Sequence, residues 1–185
     1  MSVNFRLAAA ALIAAGSFAI AGCSDKDSVH AENESLESVA AKVADSNVKP
    51  LPGQWQSTMK IEKLDIPNLP AEAKAAMQQQ MGAAQSFASC LTPEQAAKPS
   101  AEFFQGKQSG CTYEKFAMEG GKIDAVMTCA NGGQNQKMTM TGVYGAEAYD
   151  IRISADGEMQ PGMPMSMTMA ISSKRTGECT GKEQG

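Results

Sequence analysis

The run MPMSMTMAISS at residues 163–173 decides the fold, because apolar and polar side chains alternate along it with a period of two. Strict alternation of this kind is typical of a β-strand that is buried on one face and solvated on the other. The apolar positions are Met163, Met165, Met167, Met169 and Ile171, and polar or small residues lie between them. The sequence therefore predicts a long strand on which the methionines share one face.

Similar alternation continues upstream, in segments separated by short glycine-containing turns. One side of these segments carries Trp55, Ser57, Met59 and Ile61, then Met138, Met140, Gly142 and Tyr144, then Tyr149, Ile151, Ile153 and Ala155. Sequential strands of this kind predict a mainly β domain at residues 51–182, an antiparallel meander of about seven strands that forms a curled sheet or an open barrel. Pro70 and Gly82 bound a predicted helix, which we expect to cover one opening or edge.

Four of the five cysteines lie within this predicted domain, and their spacing indicates two disulfides. A turn at Gly120-Gly121 would place Cys111 opposite Cys129, since each lies nine positions from residue 120. Directly opposed strand residues are about 4.5–5.5 Å apart at Cα, which a disulfide accepts. Cys90 and Cys179 then form the second pair. The competing zinc site is disfavoured, because no CxxC pair occurs and no histidine lies near.

The N-terminus carries an export signal. Arg6 precedes an apolar run at residues 7–21, which is shorter than the about 20 residues that a membrane-spanning helix needs. Ile20-Ala21-Gly22-Cys23 resembles the bacterial lipobox, in which the chain is cut before the cysteine and the cysteine is lipidated. The sequence thus predicts a signal peptide at residues 1–22 and a membrane anchor at Cys23, held stably by several acyl chains.

Residues 23–50 are predicted to form a lipidated tether between the anchor and the domain. Four apolar residues in it fall at helical spacing: Leu36, Val39, Ala40 and Val43. Ser35 precedes them and is a suitable N-cap. We therefore expect a short amphipathic helix within the tether, either docked on the domain or lying on the membrane surface.

Charge and anchor together define the expected compartment. An aspartate directly after the lipidated cysteine resembles an inner-membrane retention signal, but here Ser24 takes that position and Asp25 follows. We therefore expect the bacterial outer membrane rather than the inner one, with the domain facing the periplasm. Loss of Arg6 with the signal peptide leaves 15 basic and 20 acidic residues, a net charge of −5. That balance argues against nucleic acid as a partner.

No catalytic constellation is recognisable. The single histidine, His30, lies in the predicted tether, where a general base would lack a fixed geometry. Disulfide-bonded cysteines cannot act as nucleophiles, and the glycine pairs at 120–121 and 132–133 are typical of turns rather than of phosphate-binding loops. We therefore expect a protein that is not an enzyme and that uses no cofactor.

Methionine is over-represented, with 13 residues against ten aromatics. The candidate ligand or metal face consists of Met138, Met140, Met163, Met165, Met167 and Met169. Three interpretations of this face remain open. The favoured one is a packed core, and the other two are an adaptable pocket for a hydrophobic ligand and a set of thioether ligands for Cu(I). The predicted function is a non-enzymatic cell-envelope lipoprotein that presents this face to a hydrophobic ligand or an envelope protein. The alternative is a periplasmic Cu(I)-binding protein.

Several motifs resemble those of one bacterial protein family. They are Pro52-Gly53-Gln54-Trp55, Cys90-Leu91-Thr92-Pro93-Glu94, the run MTMTG at 138–142, and Lys174-Arg175-Thr176-Gly177-Glu178-Cys179. In this order they resemble the family called domain of unknown function 3617, over about residues 50–182. The members are mostly exported or lipobox-bearing proteins with four such cysteines and methionine-rich strands. The resemblance implies the same fold and compartment, and it implies no activity.

Overall fold

The computed structural model describes residues 26–97, 110–131, 134–160 and 162–183. Within these residues the chain forms one open, antiparallel sheet of eight strands and three helices. The strands are β1 (Val29–Ser35), β2 (Gly53–Asp65), β3 (Gln85–Leu91), β4 (Cys111–Glu119), β5 (Lys122–Asn131), β6 (Gln134–Tyr144), β7 (Ala148–Gln160) and β8 (Met163–Gly177). The helices are α1 (Leu36–Asp45), α2 (Ala71–Met81) and α3 (Pro93–Ala97).

The sheet has the strand order β1-β4-β5-β6-β7-β8-β2-β3. Strands β4 to β8 form the predicted meander, because each pairs with the next along the chain. The antiparallel pair β2–β3, whose connection contains α2, adds beside β8, and β1 adds beside β4 at the opposite edge. The mainly β, antiparallel fold is therefore confirmed, and the seven strands predicted for residues 51–182 are β2 to β8.

The prediction that residues 23–50 form a tether is wrong for the described part of that segment. Strand β1 pairs with β4 and buries Val29 and Ala31. The predicted helix exists as α1, with the Ser35 hydroxyl accepting a hydrogen bond from the Ser38 backbone N–H at 3.2 Å. Its four predicted apolar residues are buried against the sheet rather than against a membrane. The physical reason is the open edge of β4, which supplies backbone partners that a short polar strand lacks alone.

The main core lies at this edge of the sheet. Helix α1 covers the end of the sheet formed by β1, β4 and β5, where Phe116 and Met127 are among the most completely buried side chains. The Tyr113 and Phe116 rings meet edge to face with centroids 5.1 Å apart. A smaller cluster at the other edge joins Trp55, Leu91 and Ala96. Between the two clusters, most apolar side chains of β6, β7 and β8 are half-buried.

The β4–β5 hairpin forms the predicted disulfide with the help of a β-bulge that the position of the turn alone does not predict. Gly120 and Gly121 adopt positive φ, at 56° and 73°, as a two-residue hairpin turn requires. Near the turn, Glu119 faces Lys122, a register that would place Cys111 opposite Ala130. A bulge at Glu114 shifts the register by one residue and brings Cys111 opposite Cys129, with Cα atoms 3.9 Å apart. The predicted Cys111–Cys129 pair is therefore confirmed.

The second predicted disulfide, Cys90–Cys179, is also confirmed, with Cα atoms 5.5 Å apart. It joins β3 to the segment just after β8, across the intervening strand β2. The two cysteines are 89 positions apart in sequence. This bond therefore fixes the β2–β3 pair to the end of the meander.

Helix α2 has the bounds expected from Pro70 and Gly82. None of its residues is buried, and its main contact is with strand β2. No helix in the described part of the chain is both long and apolar enough to cross a membrane. The predicted signal peptide at residues 1–22 and the predicted anchor at Cys23 lie outside the described residues.

Candidate functional site: the methionine groove

One face of the sheet is apolar from β5 to β2. The register places Ala125 opposite Met140, Met140 opposite Ile153, Ile153 opposite Met169 and Met169 opposite Ile61. A second row, parallel to the first, contains Met127, Met138, Ala155, Met167 and Leu64. Neighbouring strands therefore present matching apolar side chains, and we call this side of the sheet the inner face.

The inner face is only partly covered. Helix α1 packs over its β1–β4–β5 end, whereas α2 buries nothing. As a result, all six candidate methionines are half-buried: Met138, Met140, Met163, Met165, Met167 and Met169. The fully buried methionines of the described core are Met118 and Met127, which the sequence analysis did not single out. The candidate row is therefore not the closed core that the sequence-based interpretation favours, because none of the three helices in the described residues closes over the middle of the sheet.

A cavity of about 220 Å³ opens on this half-covered region. Its lining residues are Tyr113, Ala125, Met127, Met138, Met140, Ile153 and Met169, and we call it the methionine groove. The lining comes from five neighbouring strands, β4 to β8, so the sheet must curl around the cavity. None of these side chains carries a charge. For comparison, an apolar cavity of about 150 Å³ in another protein is large enough to bind benzene.

The β6 and β7 backbones approach each other closely beside the groove at Gly142, which lies on the inner face of β6. A Cβ atom there would stand 2.1 Å from the Asp150 carbonyl oxygen and 2.9 Å from the Ile151 Cα atom on β7. Such close approach of two strand backbones is one of the reasons for glycine within a strand. Gly142 therefore allows β6 and β7 to converge next to Met140.

The groove brings together some of the predicted residues and not others. Met138, Met140 and Met169 line it, whereas Met163, Met165 and Met167 do not. Met127 also lines it, and it was missed although Ile123, Ala125, Met127 and Cys129 alternate along β5 as strand residues do. Strand β7 separates Met138 and Met140 from Met169, so their backbones are about 9.5 Å apart. The thioethers on β6 and the thioether on β8 could therefore come together only across the concave side of the curled sheet.

The opposite, outer face is polar and paired, as the alternation predicted. Arg152 donates two hydrogen bonds to the Glu62 carboxylate, at 2.8 and 3.0 Å, across the small Ala170 of β8. These bonds lower the pKa of Glu62 and raise the pKa of Arg152. Lys115–Asp124 and Lys137–Glu114 are further ion pairs. Several charges of the outer face therefore pair with one another.

Other candidate chemistry is dispersed. His30 lies on β1 with an exposed side chain, 3.7 Å from a Glu119 carboxylate oxygen. Over residues 26–97, 110–131, 134–160 and 162–183, no three His, Cys, Asp or Glu side chains are grouped as a metal site would require. The methionine groove is therefore the best-defined candidate site.

Comparison with known proteins identifies a family without an activity. The model of the family described as Protein of unknown function (DUF3617) matches residues 50–179, which is most of the chain. The resemblance inferred from the sequence motifs is thereby confirmed. Searches of curated proteins and of solved structures return no match. The matched range includes strands β2 to β8 and both disulfides, whereas β1 and α1 precede it.

Proposed function

The chain belongs to the family of proteins of unknown function DUF3617, and from this premise we propose that it is a non-enzymatic, lipid-anchored binding protein of the bacterial cell envelope. Its proposed ligand is a hydrocarbon segment that occupies the methionine groove. The observation that carries this proposal is an open, uncharged cavity lined by four methionines and Ile153 on an otherwise half-covered sheet face. Filling it would remove apolar surface from water, which is favourable at about 25 cal/mol per Å².

The methionine-rich lining of the groove favours ligand binding over a rigid, empty cavity. Methionine is unbranched and polarisable, so its side chain adapts to ligands of different shape. The groove opens to solvent at the border of the main core cluster, whose members Tyr113, Ala125 and Met127 form its buried side and give it a stable frame. A hydrocarbon chain needs no polar partner, which matches the uncharged lining.

The proposed anchor would hold the domain near the membrane surface. Cys23 precedes the first strand residue, Val29, by six positions, a reach of about 20 Å in extended chain. Strand β1 lies at the edge of the sheet whose apolar core α1 closes. A membrane-tethered domain with an open apolar groove is well placed to take a hydrocarbon segment, and the lipobox-like residues support this location.

We predict that Cys23→Ala abolishes membrane attachment, because it removes the only thiol at the proposed cleavage and lipidation site. The variant should accumulate as an unlipidated or uncleaved precursor that leaves the detergent phase. Intact-mass measurement of the membrane fraction tests this, with Ser24→Ala as the control that should keep its acyl mass. A wild-type chain without acyl mass, or with a mature N-terminus elsewhere, would refute the anchor.

We predict that the mature polypeptide, residues 24–185, binds N-phenyl-1-naphthylamine with enhanced fluorescence and that n-octane displaces it. Omitting the anchor avoids detergent and retains every described residue. Ala125→Leu should weaken binding at least tenfold, because its larger side chain fills the groove from the buried floor.

The matched control for this experiment is Ala117→Leu, on the outer face of the neighbouring strand β4. It makes the same change away from the groove and should leave the affinity within about twofold. Circular dichroism must show that both variants are folded, since added volume in a packed site costs about 1–3 kcal/mol. Equal affinity of wild type and folded Ala125→Leu would exclude the groove as the binding site.

Cu(I) binding is the second candidate, favoured by the four methionines that line one cavity. A Cu–S bond is close in length to the Zn–S distance of about 2.3 Å, so ligating sulfurs must converge within a few ångströms. The intervening strand β7 works against such convergence from Met138 or Met140 to Met169. The double variant Met138→Leu/Met140→Leu separates the two candidates, because leucine preserves apolar volume and removes the thioethers. We expect it to retain the fluorophore, whereas a Cu(I) site would be lost.

A further inference from the structure

We propose that a second cavity on the same face binds the uncharged polar head of an amphiphile whose hydrocarbon tail occupies the methionine groove. This proposal rests on the proposed function and names its ligand class, an ester or amide of a fatty chain with no net charge. The cavity encloses about 180 Å³ and lies between β2, β3, β7 and β8. Its polar floor is the hydroxyl pair Ser57–Ser173, and we call the cavity the hydroxyl notch.

The hydroxyl pair has one donor to spare. Ser57 and Ser173 are buried, at 3 % and 5 % exposure, and their oxygens lie 2.7 Å apart in a single hydrogen bond. Two serine hydroxyls bring two O–H donors, and one shared bond uses only one of them. Among the described residues, neither hydroxyl makes another hydrogen bond, and both line the notch. One buried O–H therefore remains available to an acceptor atom that enters the notch.

The surroundings of the notch favour an acceptor without charge. None of its lining residues is charged: Pro50, Trp55, Ser57, Ser89, Cys90, Leu91, Gln95, Tyr149 and Ser173. The indole N–H of Trp55 already donates to the Leu51 carbonyl oxygen at 3.0 Å. The nearby Arg175 guanidinium donates to the Pro52 carbonyl oxygen and to the Glu178 carboxylate. A carboxylate in the notch would be desolvated without a free cation, which is costly, whereas a carbonyl oxygen needs only the spare hydroxyl.

The notch and the groove are joined by a continuous apolar row. Tyr149, Ser173 and Ser57 form one register row of the inner face, and Ile153, Met169 and Ile61 form another. Between these rows lies a third, made of Ile151, Ile171 and Met59, whose members are half-buried. Four residues along a strand separate Tyr149 from Ile153, which is about 13 Å. A polar head in the notch thus leaves its chain pointing over apolar side chains toward Met169.

The test compares three ligands with eight-carbon chains for displacement of the fluorophore from the mature polypeptide: monooctanoylglycerol, octanoate and n-octane. We expect the uncharged ester to bind more tightly than octanoate. The double variant Ser57→Ala/Ser173→Ala should weaken monooctanoylglycerol binding about three- to tenfold, the value of one neutral hydrogen bond. The affinity of this double variant for n-octane should stay within twofold of the wild-type value. Removing both hydroxyls together avoids leaving one buried and unpaired.

A matched control exists on the outer face, where Ser154 and Thr168 form the same kind of cross-strand hydroxyl pair at 3.2 Å. The double variant Ser154→Ala/Thr168→Val should leave the affinities for all three ligands unchanged. If the serine double variant does not fold, Ser89→Trp serves instead, since it fills the notch from the half-buried strand β3 and should remove the advantage of the ester over octane.

The outcomes separate the two proposals. A chain that binds none of the three ligands overturns both the groove and the notch. Binding of n-octane together with an unchanged affinity of the serine variant for the ester overturns the notch alone. Preference for octanoate, lost in the serine variant, would show that the notch takes an anion and would overturn the uncharged head.

Discussion

Replacing Phe116 with alanine should lower the free energy of unfolding by about 3–5 kcal/mol, the cost of emptying a fully buried aromatic site. Phe116 is 2 % exposed, belongs to the core that α1 covers, and its ring meets the Tyr113 ring edge to face. Its strand, β4, supports both β1 and β5. Urea unfolding of the mature polypeptide, followed by circular dichroism, measures the change.

The control for this experiment is Phe87→Ala, the same change at a phenylalanine that is 42 % exposed on β3. It should cost no more than about 1 kcal/mol, since an exposed ring loses little buried area. The contrast also tests whether β1 and α1 belong to the folded unit. Phe116→Ala with a cost as small as that of Phe87→Ala would mean that α1 does not cover the sheet in solution.

Removal of the Cys90–Cys179 disulfide should cost about 4.5 kcal/mol in the chain-entropy model, because the bond closes a long loop in the unfolded chain. The separation of 89 positions sets this value, and the model gives about 3 kcal/mol for the 18 positions between Cys111 and Cys129. The double variant Cys90→Ala/Cys179→Ala tests the prediction by denaturant unfolding under non-reducing conditions.

The single variants provide an internal control for this disulfide. Cys90→Ala and Cys179→Ala each remove the whole cross-link, so each should cost about as much as the double variant and their effects should not add. Additive losses would indicate that the two cysteines stabilise the fold separately. Non-reducing peptide mapping of the wild type gives the direct check, and a Cys90–Cys111 peptide would contradict the assigned pairing.

Much of the fold follows from local patterns in the sequence. The alternation along β6, β7 and β8 assigned their inner and outer faces correctly, because side chains of a strand point to opposite faces whatever lies next to it. Ser35 and the spacing of Leu36 and Val39 identified α1, since capping and helical periodicity are also local. The glycine turn at 120–121 placed the β4–β5 hairpin, and the shared motifs identified the family.

The tertiary structure decided what depends on neighbours distant in sequence. Strand β1 carries two buried apolar side chains between polar residues, a pattern too weak to identify a strand until β4 provides its backbone partner. The bulge at Glu114 sets the register of the hairpin, and the apolar alternation changes phase there, from Tyr113 to Phe116, although the position of the turn alone does not show it.

The candidate sites depend on the same long-range geometry. Met127 and Met169 line one groove because five strands curl together, and Ser57 meets Ser173 because β2 inserts beside β8. The sequence determined which side chains share a face, since that is a property of each strand. Which parts of that face are covered and which stay open was set by strand order and by the placement of α1, because burial depends on what packs against a strand.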